Sequence, residues 1–347
     1  MKAASVDNPE IKKIMDLLVS NKVKPEAADL LSQQIYNSAI QACEINDSTT
    51  DFDTWFKERF TFQLVWLGDD DYLRALVRAL WLIPQFASTD FGRSRQRDMA
   101  QVWTDTSRGF LGEIAFSNFL YNKFQLEAKP DTGRGELSEF LPTDIALIRK
   151  CPNDSWREPY KKISIKTTKF NGRWLDVPGA QIEHSDIFVL VKIGILRHHF
   201  IAFLKAVSFL KDKLIPKAVS IGELEKDLGQ KLWEEIPLFD PIPAYIAGYL
   251  DKSELNLPIH MKEYKIKGKK HKSVAIVKGI GIFSVSNLQK IIDEEIIEKK
   301  IIGREENFSI EIEPIIKSLS PNEQHFLAHS GGLKWGVKDW DGLIQQL

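Results

Sequence analysis

Over the first hundred positions the apolar residues recur every three or four places, the period of helices with one buried face. Asn8 and Pro9 open one such segment, in which Ile11, Ile14, Met15 and Leu18 share a side; Pro25 opens another through Leu30, Leu31, Ile35 and Ala39. Residues 52–66 are rich in aromatics and are expected to pack as helical core. Asp69, Asp70 and Asp71 stand where carboxylates cap a helix over 72–83. A further helix is expected over 106–124, packed through Phe110, Ile114, Phe116 and Phe119. Then the period changes. Asp144 precedes Ile145, Ala146, Leu147 and Ile148, a short buried strand. Residues 162–168 alternate, with Ser164 and Lys166 on one face and Ile163 and Ile165 on the other.

Residues 187–193 carry the strongest strand pattern in the chain, and 200–204 read as a second strand after a turn at Arg197, His198 and His199. Residues 170–179 read as a loop. An amphipathic helix is expected over 219–233, a short apolar segment at 245–250, and a hairpin from 261–267 to 273–277 with a basic tip at 268–272. A helix is expected over 286–300. Ser320 and Glu323 have the spacing of a capping box opening a last helix that Gly331 ends, followed by a loop over 330–340. The chain thus divides into a helical N-terminal region (1–103), an α/β core (104–215) and a mixed α+β C-terminal region (216–347).

The charge balance narrows the function classes. With 47 Lys and Arg against 48 Asp and Glu the net charge is −1, so any nucleic-acid surface has to be local. Cys43 and Cys151 are too few for a disulfide framework or a four-cysteine zinc site. No apolar run approaches membrane-spanning length, and the first residues lack the apolar core of a signal peptide, so a cytoplasmic protein without membrane contact is expected.

Three residues carry candidate chemistry. Glu113 lies at the border of an apolar helix stripe, where an acid needs a cation, a metal or the rim of the core; Gly109 and Gly112 beside it permit close approach of another backbone. Asp144 is either a turn cap after Pro142 or a site carboxylate, and Lys166 either a solvated strand residue or a site lysine. A helix with Glu113, then Pro142-Thr143-Asp144, then Ser164-Ile165-Lys166 on the next strand resembles the PD-(D/E)XK nuclease superfamily, and most closely the type II restriction endonucleases, across residues 108–192.

The resemblance implies an α/β fold with a restriction-endonuclease-like core, a mixed central sheet flanked by helices. It implies that Asp144 is the central ligand of Mg²⁺, for which Mn²⁺ substitutes, that Lys166 orients or activates the attacking water, and that Glu113 joins from the helix. Ser164 departs from the pattern, standing where Asp or Glu is usual. The oxygen shell would then draw on Glu113, the Ile165 backbone carbonyl and water. The expected activity is Mg²⁺-dependent, sequence-specific cleavage of double-stranded DNA in a restriction system, by a homodimer.

Lys169, Arg173, Lys269, Lys270, Lys272 and Lys334 are the candidate DNA contacts, with Trp174 beside the first two. Arg93, Arg95 and Arg97 either touch phosphate or start a helix. Gln181 is a candidate support for the site, and Glu136 and Glu139 are reserve acids. His198 and His199 have no third ligand near in sequence, so no zinc site is expected there. Two other readings stay open: a structure-specific repair or junction nuclease, and a DNA-binding protein of this fold without catalysis.

Overall fold

The computed structural model describes residues 8–45, 50–86, 99–132, 143–150, 153–255, 260–265, 273–291, 294, 319 and 323–347. The chain begins with α1 (Pro9–Ser20), α2 (Pro25–Gln41) and α3 (Phe52–Thr54), the last widening into a π-helical stretch, Trp55–Thr61. There follow β1 (Leu64–Leu67), α4 (Asp69–Phe86), α5 (Met99–Phe124), β2 (Glu127–Pro130), β3 (Ile145–Arg149), β4 (Ile163–Lys169) and β5 (Trp174–Pro178). Next come α6 (Gly179–His184), β6 (Ile187–Ile193), α7 (His198–Ala206), α8 (Ile215–Ser220) and α9 (Lys226–Glu235). β7 (Ile242–Asp251), β8 (His260–Lys265), β9 (Ser273–Ser284), β10 (Gln324–His329) and α10 (Val337–Gln346) complete the described elements.

A mixed sheet in the order β1-β7-β6-β4 forms the centre, with β4 and β6 parallel and the other pairs antiparallel. Every residue of β6 is buried, as its unbroken apolar run requires of a strand covered on both faces. Ile187, Val189, Val191 and Ile193 meet α4, α5, α7 and α10 on one face; Phe188 and Leu190 meet α1, α2 and the inner residues of a second sheet on the other. That second sheet, β5-β10-β9-β8, is antiparallel throughout. β2 and β3 make a two-stranded ribbon beside the main sheet. The molecule is therefore mixed α/β. Its main sheet takes β1, β4 with β6, and β7 from all three regions marked out in the sequence, so the boundaries at 103 and 215 do not separate independent cores.

Several elements differ from the sequence expectation. Residues 200–204 lie in α7, where His199, Ala202 and Phe203 are buried at helical spacing; five apolar residues in a row do not distinguish the two periods. Trp174 is not in a loop but buried in β5, 3.7 Å from the His329 ring between centroids. The segment after Glu323 is β10 rather than a helix, and Gly331 lies against the Ala42 and Cys43 carbonyls, with its N–H donated to Ala42 at 3.0 Å. The expected 219–233 helix is broken into α8 and α9, and the 330–340 loop closes into α10. The 245–250 segment is the inner part of β7. There Gly248, at φ 136°, sits opposite the register shift at Leu190 and lets the Lys334 carbonyl approach the strand. The expected hairpin is β8 and β9; its tip and most of the 286–300 segment lie outside the described residues. No helix among the described residues is long and apolar enough to cross a membrane.

Candidate active site

The site is built where α5 crosses β4. Leu111, Ile114, Ala115, Phe116, Phe119 and Leu120 bury one side of α5 against the sheet. Gly112 lies so close to β4 that a Cβ there would fall inside the Thr167 side chain, and Thr167 Oγ1 donates to the Gly109 carbonyl at 3.3 Å. The two glycines thus set the helix on the strand, and Glu113, the next residue, is carried to the edge of the contact.

Asp144 arrives from the ribbon. β2 and β3 pair antiparallel with Pro130 opposite Ile145, and one residue further Asp131 donates its N–H to the Asp144 carbonyl at 2.9 Å. Asp144 in turn donates its N–H to the Ile163 carbonyl at 2.7 Å, and its Oδ2 accepts the Ile165 N–H at 2.5 Å. Thr143 Oγ1 tightens the same junction by accepting from Ile163 N at 3.1 Å. The ribbon is held again at Ile148, which exchanges backbone bonds with Arg157. Because the N–H and C=O of one strand residue point the same way, the Ile165 carbonyl also faces the Asp144 edge.

Lys166 and Ser164 alternate with Ile163 and Ile165, as read from the sequence, and Lys166 donates its amine to Gln181 Oε1 of α6. Ser164 is buried, and its side chain hydrogen-bonds to Asp144.

The groups interact strongly because each is only partly exposed to water. Burial pushes Glu113 well above the ordinary carboxylate range; Asp144 and Asp131 add to this, while Arg78 and Lys166 oppose it. Burial likewise raises Asp144, against the pull of Lys166 and the Ile165 N–H. Burial also holds Lys166 below the usual lysine range, although Asp144, Asp176 and Glu113 favour its charge. A cavity of about 430 Å³ lies over the acids and is lined by Arg78, Trp81, Phe110, Glu113, Asp131 and Asp144, among others. Arg78 Nη1 is buried there without a hydrogen-bond partner among the described residues. Glu113 and Asp144, which resist ionisation, beside a guanidinium that faces Glu113, form a place suited to a cation and an anion together.

Glu113 carries its own test. Its pKa is raised in the folded state, so the folded chain holds that proton more tightly than the unfolded chain. Stability contributed in this way is present at low pH and falls as pH climbs from about 4.5 toward the raised value. Glu113→Gln is therefore expected to melt roughly 2–4 °C above the wild type at neutral pH without divalent ions, by scanning calorimetry. Adding Mg²⁺ is expected to stabilise the wild type alone. A lower melting temperature for the variant in chelator would show that Glu113 is an ordinary paired helix acid.

Of the sequence-read residues, Glu113, Asp144, Lys166, Ser164, Ile165 and Gln181 converge. The candidate DNA contacts scatter. Lys169 is exposed at the end of β4 and lines a different cavity. Arg173 lies near the buried Lys192 on the other side of the sheet, and Lys334 is paired with Glu254 at 2.9 Å. Lys269, Lys270, Lys272, Glu136, Glu139, Arg93, Arg95 and Arg97 lie outside the described residues. His184 is exposed. Asp131 and Arg78 escaped sequence reading. The signal for Asp131 was Pro130-Asp131, the mirror across the ribbon of Pro142-Thr143-Asp144; Arg78 had none, being one arginine among the polar positions of α4. No family model, no curated protein and no solved structure matches this chain.

Proposed function

We propose that the protein is a divalent-cation-dependent deoxyribonuclease of the PD-(D/E)XK type, cutting double-stranded DNA at specific sequences as a homodimer. The observation that carries the reading is the meeting of Glu113, Asp131 and Asp144 with Lys166 at one strand edge. The mixed sheet with helices on its α5 side and the order helix, ribbon, β4 further support it.

The donor set is oxygen alone, carboxylates and the Ile165 carbonyl, which suits Mg²⁺ or Mn²⁺ and disfavours ions that seek imidazole or thiolate. Asp131 supplies a carboxylate that the Ser164 position lacks. When bound, such an ion polarises the phosphate and lowers the pKa of an attacking water. Glu113, Asp131 and Asp144 would hold it. Lys166, fixed by Gln181, places its amine beside the acids, where it orients the water and offsets negative charge developing on the phosphate. Arg78, whose Nη1 has no hydrogen-bond partner among the described residues, donates to a phosphate oxygen.

Incubating supercoiled plasmid with the protein and Mg²⁺ or Mn²⁺ tests this. Discrete fragments are expected, and EDTA abolishes them. Cutting confined to branched substrates would favour the junction-nuclease reading. Binding without cleavage in either metal would favour the inactive DNA-binding reading, to which the serine at 164 points.

A further inference from the structure

A second cluster, away from the acids, joins the start of α7 to the chain entering β7. His198 Nε2 lies 2.7 Å from Asp240 Oδ1 and His199 Nε2 lies 3.8 Å from the same oxygen. All three side chains offer a ligand atom within 4.8 Å of the others. Ligands about 2.0–2.2 Å from a tetrahedral ion stand roughly 3.4 Å from one another, a value these separations bracket. The third residue that the sequence did not supply near the histidine pair is thus Asp240.

Asp240 Oδ2 is buried with no hydrogen-bond partner among the described residues, and His199 Nε2 makes no well-formed hydrogen bond there, with Asp240 Oδ1 at 3.8 Å and the Asp240 backbone beside it; His199 and Asp240 are only 1% and 3% exposed. A satisfied structural triad would not leave that carboxylate oxygen bare, since an orphaned buried polar atom costs about 1–3 kcal/mol. The other nitrogen of His199, Nδ1, faces the Leu196 backbone: in one tautomer it accepts the Leu196 N–H at 2.9 Å, and in the other, which frees Nε2 for a metal, it donates to the Leu196 carbonyl at 3.3 Å. That carbonyl is the acceptor a metal-bound imidazole uses for its second N–H. His198 reaches a cavity of about 960 Å³ lined also by Lys24, Lys169 and Arg197, which provides an entry path. Two described contacts oppose a cation here, Lys24 Nζ at 3.8 Å from Asp240 Oδ1 and the Leu196 N–H aimed at His199 Nδ1; Lys24 is also bonded to the Leu238 carbonyl at 2.5 Å.

We infer that His198, His199 and Asp240 form a binding site for a borderline transition-metal ion of the Zn²⁺ class, distinct from the carboxylate site. Two imidazoles and one carboxylate select such ions over Mg²⁺. A fourth position remains for water or an anionic ligand admitted through the basic cavity.

Full-length protein stripped with chelator and titrated with Co²⁺ tests this inference independently of nuclease activity. One equivalent per chain is expected to bind with a visible ligand-field band, which Zn²⁺ displaces and excess Mg²⁺ does not. His198→Gln and Asp240→Asn are each expected to weaken binding by about 10-fold or more, while Asp144→Asn leaves the band unchanged. His198 is 27% exposed, so its substitution reports even if Asp240→Asn fails to fold. A missing band in the wild type, a band of full affinity in His198→Gln, or one lost in Asp144→Asn would overturn the assignment.

Discussion

Asp144→Asn is expected to reduce DNA cleavage by about 10³-fold or more while leaving DNA binding in place. Asp144 occupies the junction of β3 and β4, with its backbone bonded to Ile163 and its side chain to Ile165. The amide retains the shape and one carbonyl acceptor, so the strand junction survives, but it removes the negative charge that a divalent ion needs. Lys166→Ala is expected to act as strongly. It takes away the cation that faces both acids and leaves Gln181 without the amine that it accepts from. Single-turnover cleavage in Mg²⁺, with binding followed by gel shift, separates the two effects. Full nicking by either variant would remove the basis for the assignment.

The largest stability change is expected on the opposite face of the sheet. Lys192, on β6, is buried between apolar neighbours and donates to Glu44 at 2.8 Å, Ser330 at 2.9 Å and Ser38 at 3.1 Å. Glu44 also accepts from Trp55 Nε1 at 3.0 Å, Tyr245 at 2.8 Å and Ser330. Arg59 completes the cluster through the Ala247 and Ser330 carbonyls. Removing Lys192 leaves Glu44 buried with its nearest cation gone and only Arg59 to offset it. Lys192→Met is therefore expected to cost about 3–5 kcal/mol in urea unfolding, and pairing it with Glu44→Gln to recover part of that loss.

The pH dependence has a definite sign. Burial works to raise Glu44, but Lys192 and Arg59 overcome it and hold the carboxyl well below its ordinary 4.5. Its contribution is thus complete above about 4.5 and is lost as pH falls toward the depressed value. Lys192→Met should lack this acid-side loss. Because the cluster is separate from the acids around Asp144, cleavage by the folded variant is expected to survive, which tells a structural ion pair from a catalytic one.

Long, strongly periodic elements were legible in the sequence: α1, α2, α4 and α5 from helical spacing, and β4 and β6 from alternation or continuous burial. Of the short ones, β3 and the β8–β9 hairpin were legible too, but others were not. Five apolar residues at 200–204 fit either period, and the capping-box spacing at 320–323 preceded a strand whose pairing with β5 and β9 decided its form. At the site, Glu113, Asp144 and Lys166 could be found because each interrupts an apolar pattern at a cost. Asp131 and Arg78 break no pattern, and they join the site through the ribbon register and the packing of α4 on α5. Asp240 stands far along the chain from His198 and His199, so only the tertiary fold brings the three together. Lys334 read as a free basic group because its partner Glu254 is likewise distant in sequence.

Anomalous diffraction from crystals grown with Mn²⁺ at low concentration asks the central question directly. A Mn²⁺ peak is expected between the carboxylates of Glu113 and Asp144, with Asp131 or the Ile165 carbonyl completing its oxygen shell and Lys166 alongside. A crystal with no peak among these groups at saturating Mn²⁺, or with Glu113 and Asp144 turned away from one another into separate ion pairs, would contradict it.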